Sequence, residues 1–270
     1  ISLQNVYLQD QSKDTLLYGG ELMIDISMLK LLKSEISIQE ISLNNMVVKV
    51  KKLPPDSVFN FQFIADAFAG GTKNTSQAQD TSAIKMNIDR ILVNKTRIVY
   101  KDAYTGNDMD MYFGHLDTKI STFDPSHLFF DIPSITLKGL HGHFYQLEPL
   151  PQSVKKIVAT AAAQPDNYLQ FINKEMNFSD IDLVYKSEPS NIYSSFIIGD
   201  LVIHPKIFDL KNSIYTLKDA TLNQSEIVIQ TTTAKAKQLP KDTVLTVAPP
   251  PPFKIISGDI VINNSSLKYD

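Results

Sequence analysis

The sequence predicts a mainly β protein, an elongated and strongly curved antiparallel sheet of taco-like or groove-like shape, with a few short helices. Two observations support this fold class. Apolar residues recur with the spacing i, i+2, i+5 and i+7 in eight stretches, and most of these stretches precede a polar turn and another alternating run. Short alternating runs between polar turns are typical of half-buried strands in an all-β protein.

The spacing departs from strict alternation by one residue between its two apolar pairs. In a regular strand, a slip of one residue moves the second pair to the opposite face. A β-bulge absorbs the extra residue and bends the strand, so that all four side chains stay on one face, and a tight corner has a similar effect. In "SEISIQEISLNN" (34–45), the bulge or corner is predicted at Gln39 and Glu40.

Copies of this spacing run from the first residues of the chain to its last strand-like segment. Six copies are complete, one has Gly142 in its last place, and one has Ser257 in its second place. The copies are Ile1, Leu3, Val6 and Leu8; Ile36, Ile38, Ile41 and Leu43; Met86, Ile88, Ile91 and Val93; Ile135, Leu137, Leu140 and Gly142; Met176, Phe178, Ile181 and Leu183; Phe196, Ile198, Leu201 and Ile203; Tyr215, Leu217, Ala220 and Leu222; and Ile255, Ser257, Ile260 and Ile262. They predict a bent sheet with one apolar face and one polar face.

Asn-rich segments follow four of the copies and predict turns. They open the runs "NNMVVKVKK" (44–52), "NKTRIVYKD" (94–102), "NQSEIVIQT" (223–231) and "NNSSLKYD" (263–270). Asn tolerates the left-handed backbone conformation and can hydrogen-bond to its own backbone, which suits it to turns. Short strands separated by such turns predict antiparallel hairpins.

Three stretches interrupt the β pattern and predict short helices. The first is residues 27–35, the second is residues 56–68, and the third, residues 151–174, reads as two helices divided at "AQPDN". The second helix of the third stretch is predicted to carry Leu169 and Ile172 on its apolar side. Helical spacing of apolar residues is the basis for each of these predictions.

The domain organisation predicted from these elements is one elongated, repeat-built β segment over residues 1–270. The helical insertion 148–174 divides it into sub-units 1–147 and 175–270. Residues 69–83 are polar and of low complexity, which predicts a flexible loop.

Composition and motifs argue against several classes of function. The net charge of −3 gives no basic excess, so we predict no nucleic-acid partner, and the absence of cysteine excludes thiolate zinc sites and cysteine nucleophiles. His141 and His143 have a spacing that can chelate a metal, but they fall on the predicted polar face without a third ligand. We therefore predict no metal, no cofactor and no enzymatic activity.

The predicted apolar face requires a cover that the short helices do not supply in full. The sheet can fold over itself, or an acyl chain can lie on the apolar face. A lipid chain of about 15 methylenes gains roughly 12 kcal/mol on burial, and a continuous groove lets it slide with little change in burial. The residues predicted to line such a lipid groove are Leu3, Val6, Leu8, Ile36, Ile38, Ile41, Leu43, Met86, Ile88, Ile91, Val93, Phe178, Ile181, Leu183, Ile198, Leu201, Ile203, Ile260 and Ile262.

The first 70 residues or so also resemble a known family. The segments "DTLLY" (14–18), "MLKLLKSEISIQEISL" (28–43) and "FNFQF" (59–63) look like the region that follows the membrane anchor in TamB-like proteins of the Bacteroidetes type. These proteins belong to the AsmA-like superfamily. The resemblance identifies the chain as an N-terminal periplasmic segment of such a protein.

The resemblance implies a location and a function. The full-length protein is expected to be anchored in the inner membrane by an N-terminal helix that this sequence does not include, and to extend into the periplasm. Its apolar β groove is expected to conduct phospholipid between the inner and outer membranes, as in bridge-like lipid transfer proteins. The alternative is a structural or chaperone-like scaffold for outer-membrane protein assembly, with the assembly machinery as a partner.

Overall fold

The structure is a computed structural model that describes residues 1–27, 37–55, 58–68, 87–124, 127–149, 169–231 and 254–270. This part of the chain is mainly β and forms a large curved sheet, which confirms the predicted fold class. Its strands are β1 (Ser2–Gln9), β2 (Thr15–Ile26), β3 (Ser37–Lys52), β4 (Asn87–Ile88), β5 (Arg90–Asp102), β6 (Asn107–Lys119), β7 (Thr122–Asp124), β8 (Phe129–Asp131), β9 (Ser134–Gln146), β10 (Gln170–Ile172), β11 (Glu175–Ser187), β12 (Ile192–Asp209), β13 (Ile214–Asn223), β14 (Glu226–Thr231), β15 (Lys254–Asn263) and β16 (Ser266–Tyr269). Its helix is α1 (Gln62–Phe68).

The main sheet follows the order β1-β2-β3-β5-β6-β9-β11-β12-β13-β15. Strand β14 continues β13 along β12, and β16 continues β15 along β14. A separate small sheet has the order β10-β8-β7. Among the described residues, no strand pairs with the outer side of β1 or of β15 and β16, so the sheet is open at both edges.

The sheet is built from groups of three antiparallel strands joined by parallel pairs. The groups are β1-β2-β3, β5-β6-β9 and β11-β12-β13, and the parallel pairs between them are β3/β5, β9/β11 and β13/β15. Long connections, 53–89, 147–174 and 232–253, precede the second strand of each parallel pair. A parallel pair requires a crossover of a dozen or more residues, and the parallel pairs lie at these connections. The sheet is therefore mixed: the predicted antiparallel arrangement holds within the three groups and is wrong between them.

Several of the predicted non-β segments lie outside the described residues. These are residues 28–35 of the first predicted helix, the loop 69–83, and residues 151–168 of the third stretch. Helix α1 forms within the second stretch but begins only at Gln62. The sheet itself continues past the insertion 148–174, because β9 and β11 pair directly over twelve residue pairs.

The prediction of a helix that carries Leu169 and Ile172 is wrong. Residues 170–172 form β10, which pairs in parallel with β8, so that Gln170 lies opposite Phe129 and Ile172 opposite Asp131. Tertiary pairing overrides a weak local helix preference in a segment this short. The segment therefore belongs to the small sheet.

A β-bulge occurs at the position predicted in "SEISIQEISLNN". Strand β2 pairs Asp25 with Glu40 and Ile26 with Ile38, which leaves Gln39 as an extra residue in β3. This register shift confirms the predicted bulge at Gln39 and Glu40. A similar shift leaves Lys218 of β13 without an opposite residue in β12.

The prediction of hairpins at the Asn-rich segments is wrong. The left-handed backbone conformation does occur in these segments, at Asn45 (φ 53°), Lys95 (φ 45°), Gln224 (φ 48°) and Asn264 (φ 47°). The chain nevertheless continues in the same direction, because β3 and β5 are unbroken and both β13 and β14 pair with β12. One left-handed residue inserts a bulge, whereas a two-residue hairpin of the favoured I′ type needs two.

These left-handed residues belong to a row that crosses the whole sheet, which we call the crease. At each member the residue pairing between two neighbouring strands skips one position, with regular pairs on either side of it. In the seven strands that run in one direction the crease residue has a positive φ; in the three that run in the other direction it is a glycine. The crease consists of Asn5, Gly20, Asn45, Lys95, Gly114, Gly139, Asp180, Gly199, Gln224 and Asn264.

Glycine is required opposite a left-handed residue because the two backbones approach closely. A Cβ atom on Gly20 would lie 2.1 Å from the carbonyl oxygen of Asn44, and one on Gly199 would lie 2.7 Å from that of Gln224. Real Cβ atoms do not come that close to a backbone oxygen. The crease therefore couples a left-handed residue in one strand to a glycine in its antiparallel neighbour.

Hydroxyl groups next to the crease form hydrogen bonds with backbone groups at the bend. Thr96 Oγ1 donates to the carbonyl of Asn94 (2.8 Å) and accepts the N–H of Met46 (3.3 Å). Ser225 Oγ accepts the N–H of Gly199 (3.2 Å), which also donates to the carbonyl of Gln224 (3.2 Å). Because buried backbone N–H groups need a partner, these side chains stabilise the bent strands.

The eight sequence copies correspond to two different bends. Four copies span the crease, and the other four span a line of bulges and breaks that precedes it. Gln39 precedes Asn45 by six residues, and Lys218 precedes Gln224 by the same number. The β3 strand and the β13–β14 run are therefore each bent twice, and both bends keep the apolar residues on one side.

Candidate functional site: the apolar face of the sheet

The residues predicted to line a groove lie opposite one another in neighbouring strands. Residues directly opposite each other in a sheet project from the same face. Among the pairs are Ile38 with Ile88, Ile41 with Ile91, Leu43 with Val93, Ile181 with Ile198, Phe178 with Leu201, and Met176 with Ile203. We call this side of the sheet the apolar face.

The remaining predicted lining residues also have apolar or glycine neighbours on this face. The pairs are Leu3 with Leu22, Val6 with Gly19, Leu8 with Leu17, Leu183 with Phe196, Ile260 with Ala220, and Ile262 with Leu222. Ile36 and Met86 lie outside the described residues. A role of the predicted lining residues in lipid binding stays a prediction.

The centre of the apolar face is a packed cluster. Its buried members are Met111, Leu140, Ile181 and Ile198, and partly buried side chains from these strands and from β13 and β14 pack around them. In β11, Phe178, Ile181 and Leu183 all belong to this cluster, although they lie on both sides of crease residue Asp180. The crease therefore keeps the whole strand facing one way.

Burial on the apolar face falls from the middle of the sheet toward its edges. Val93 and Ile198 are 3% and 6% exposed, whereas Leu3 is 49% and Ile262 is 61% exposed. Most lining residues between these extremes are half-buried. Much of this face is therefore open to solvent in the described part of the chain.

Two small elements touch the apolar face near its opposite rims. Phe59, just before α1, packs against Tyr100 of β5 with ring centroids 6.0 Å apart. Phe171 of β10 stacks on Phe208 of β12 at 5.8 Å. Within the described part of the chain, each of these contacts is confined to its own rim of the face.

The opposite face of the sheet is polar and carries cross-strand ion pairs. The Arg90 guanidinium donates to both carboxylate oxygens of Asp117 (2.8 and 2.6 Å) and to Glu40 (2.9 Å), so that it joins three strands. Arg97 forms a two-point pair with Asp110. The hydrogen bond from Arg90 holds the pKa of Asp117 below its usual value, against the opposing effect of burial.

The ion pair of Asp117 makes a prediction about acid stability. We expect the difference in unfolding free energy between the wild type and Arg90→Gln to be full above about pH 4 and to shrink at lower pH. A carboxyl with a lowered pKa in the folded state stabilises the protein above its unfolded pKa, and this contribution is lost as pH falls through the folded value. Urea titrations from about pH 7 to about pH 2.5 measure the difference.

The matched control for this prediction is Lys138→Gln, which removes an exposed positive charge of the same sheet. Its effect on the unfolding free energy should vary little over the acid range. A difference for Arg90→Gln that stays constant down to the lowest pH contradicts the role of the pair.

The histidines of the polar face make contacts with neighbouring side chains. The ring of His143 stacks on Tyr145 at 4.2 Å, and His141 Nε2 lies 3.9 Å from an Asp180 carboxylate oxygen. Within the described ranges, no group of three or more His, Cys, Asp or Glu residues is arranged to hold a metal ion. His141 thus contacts the neighbouring strand β11, whereas His143 and Tyr145 both lie in β9.

Two strands of the apolar face escaped the search for sequence copies. In β6, Met111, Phe113, Leu116 and Thr118 have the same spacing, with a polar residue in the last place. In β2, Leu17, Gly19, Leu22 and Ile24 have it with a glycine in the second place. A search that allowed one small or polar residue at any position would have found both.

Comparison with protein-family models gives no match, and neither do comparisons with curated proteins and with solved structures. The resemblance to TamB-like proteins therefore stays a prediction. In the described segments, no helix has the length and apolar character needed to span a membrane.

Proposed function

We propose that this chain binds acyl chains on its apolar face and forms a section of a lipid conduit. The observation that carries the proposal is the continuity of that face, which extends over the ten strands of the main path and is buried at its centre but exposed toward both edges. Ten strands at about 4.8 Å per step make a face about 43 Å wide. An exposed apolar area of this extent needs a ligand or a partner to cover it.

The energetics favour a mobile ligand. A chain of about 15 methylenes gains roughly 12 kcal/mol when it leaves water. Each strand presents aliphatic side chains at similar heights on either side of the crease, so a chain that moves by one strand exchanges one set of contacts for a similar set. Small differences in the free energy of burial between neighbouring positions keep the barrier to movement low.

In line with the sequence resemblance, the phospholipid would pass between the inner and outer membranes, with the full-length protein anchored in the inner membrane and extending into the periplasm. The alternative, a scaffold for outer-membrane protein assembly, is favoured by a different feature. Both edges of the sheet are open in the described part of the chain, and an open edge can pair with a strand of another protein.

Extraction of the purified protein followed by mass spectrometry of lipids tests the proposal. We expect co-purified phospholipid with the wild type and at least a tenfold loss with Ile91→Asp or Leu43→Asp, because a charge on the half-buried apolar face opposes acyl binding. Ile197→Asp is the matched control, since Ile197 is 51% exposed on the opposite face. Circular dichroism checks that each variant is folded.

Two results count against the proposal. One is recovery of lipid-free wild-type protein from membranes that contain ample phospholipid. The other is equal lipid retention by the folded Ile91→Asp and Ile197→Asp variants. Crosslinking that traps β-barrel precursors without any lipid would instead support the scaffold.

A further inference from the structure

The crease divides the apolar face into two bands. The first, which we call the aliphatic band, has a near row two positions from the crease residues and a far row four positions from them. In β3, where the crease residue is Asn45, these rows hold Leu43 and Ile41. The second band lies on the other side of the crease, at Val48 and Val50 in β3. The two bands differ in the regularity of their side chains.

The near row of the aliphatic band is apolar in every strand of the main path. Its residues lie opposite one another in consecutive pairs, without a break from Leu3 in β1 to Ile262 in β15. In these described strands, its one aromatic member is Phe178, and the far row departs from large apolar residues only at Thr118 and Ala220. An acyl chain lying across the strands would therefore meet a large, flexible apolar side chain at almost every step.

The second band is interrupted by a glycine, by a buried hydroxyl and by aromatic rings. Gly142 leaves one of its rows without a side chain in β9, and Ser194, which is 3% exposed, lies in the next row. Phe144 and Tyr185 of that row pack on each other with ring centroids 5.7 Å apart, and Tyr100 contacts the segment before α1. This band is uneven, and its rings already have partners within the chain.

The side chains between the two bands are buried over much of the sheet. Met46, Thr96 and Ile198, which adjoin the crease on the side of the second band, are 1%, 0% and 6% exposed. In the aliphatic band, by contrast, the near row is buried only at Val93, and the far row is buried nowhere in the described strands. The aliphatic band is therefore both continuous and partly accessible.

The dimensions and chemistry of the aliphatic band fit acyl chains. Its two rows lie about 6.7 Å apart along each strand, and methylene groups of neighbouring chains touch at about 4 Å, so each row can hold one chain. An extended peptide fits poorly, because its backbone N–H and C=O groups would lose water on this face without gaining partners. An acyl chain has no such groups to satisfy.

We propose that the lipid lies in the aliphatic band with its two acyl chains across the strands, one along each row, and that the second band holds no acyl chain. This inference rests on the proposed function and specifies its substrate class as lipids with two acyl chains. A shift by one strand along the aliphatic band replaces one large apolar side chain with another. A shift along the second band would meet the gap at Gly142 and the paired rings of Phe144 and Tyr185.

Leu22 and Leu17 provide a matched pair of positions for a test. Both are half-buried leucines of β2, but Leu22 lies in the near row and Leu17 in the second band. We expect Leu22→Asp to reduce co-purified phospholipid at least tenfold and Leu17→Asp to reduce it less than about twofold, because a charge opposes binding only where an acyl chain is buried. Circular dichroism shows whether each variant folds, and Leu222→Asp with Ile227→Asp is a second pair of the same kind.

Single cysteines locate the chains directly, because the sequence contains no cysteine of its own. A bimane fluorophore is attached at Leu22→Cys in the near row, at Ile24→Cys in the far row, or at Leu17→Cys in the second band. The protein is then loaded with a phospholipid that carries a doxyl nitroxide on both acyl chains, which quenches bimane on contact. We expect strong quenching at the first two positions and little at Leu17, relative to the same phospholipid without nitroxide.

Each contrary outcome identifies what has failed. Equal quenching, or equal loss of lipid, at Leu17 and Leu22 overturns the assignment of the acyl chains to one band. Quenching at Leu22 without quenching at Ile24 overturns the arrangement with one chain in each row. Wild-type protein that retains no lipid overturns the conduit and this inference with it, so failure of the proposed function is distinguishable from failure of the inference alone.

Discussion

Gly199→Ala is expected to lower the free energy of unfolding by about 2–4 kcal/mol. A Cβ at this position would lie 2.7 Å from the carbonyl oxygen of Gln224 and 2.9 Å from that of Asn223, both of them backbone atoms. Either β12 or residues 223–225 must move, which disrupts the hydrogen bond from the Gly199 N–H to Ser225 Oγ. Urea titration followed by circular dichroism measures the loss.

Gly139→Asn is the matched control within the crease. Gly139 has a φ of 67°, but a Cβ there would meet no heavy atom closer than 3.5 Å. Asn occupies the equivalent left-handed position at Asn5, Asn45 and Asn264, so this change should cost less than about 1 kcal/mol.

A gain in stability for Gly199→Ala would contradict the requirement for glycine opposite a left-handed crease residue. Alanine in place of glycine stabilises by about 0.4–1 kcal/mol where the folded backbone accommodates it, because the unfolded chain loses conformational freedom. The sign of the measured change therefore distinguishes a close backbone approach from an ordinary strand position.

Ile198→Ala is expected to cost about 2–4 kcal/mol. Ile198 is 6% exposed, lies opposite Ile181 of β11, and packs in the same cluster as Leu140 and Met111. The truncation leaves a cavity bordered by side chains on regular strands, which have little freedom to move inward. Urea titration with an unchanged denaturant slope would assign the loss to the folded core.

Ile197→Ala is the control for this second prediction. Ile197 is the preceding residue of the same strand, faces the opposite side and is 51% exposed. Its truncation should change the unfolding free energy by no more than about 0.5 kcal/mol. Equal losses at the two positions would mean that both faces of β12 are buried to the same degree, contrary to the structure.

Both predictions concern the same physical feature. The crease bends each strand without turning its apolar side chains away from the common face, and the cluster around Ile198 depends on that alignment. Loss of the bend should therefore loosen the packing of side chains on the apolar face as well as the backbone pairing. Lipid retention by folded crease variants, measured beside their stability, connects the two properties.

The sequence predicted the bent strands because the spacing of apolar residues is a local property. Gln39 and Glu40 separate two apolar pairs, and a bulge is the simplest way to keep both pairs on one face. The same local information misread the Asn-rich segments. A left-handed Asn45 suits a hairpin turn as well as a bulge, and nothing within a few residues distinguishes the two.

The sequence by itself determined which side chains share a face, since alternation and its interruptions are written along each strand. Only the tertiary structure decided the order of the strands, the parallel pairs and the alignment of separate bends into one crease. Asn45 and Lys95 come together through pairing of residues fifty positions apart, and Lys95 carries no signal of its left-handed backbone. Such pairing depends on the neighbouring strand, so it cannot be read from either strand alone.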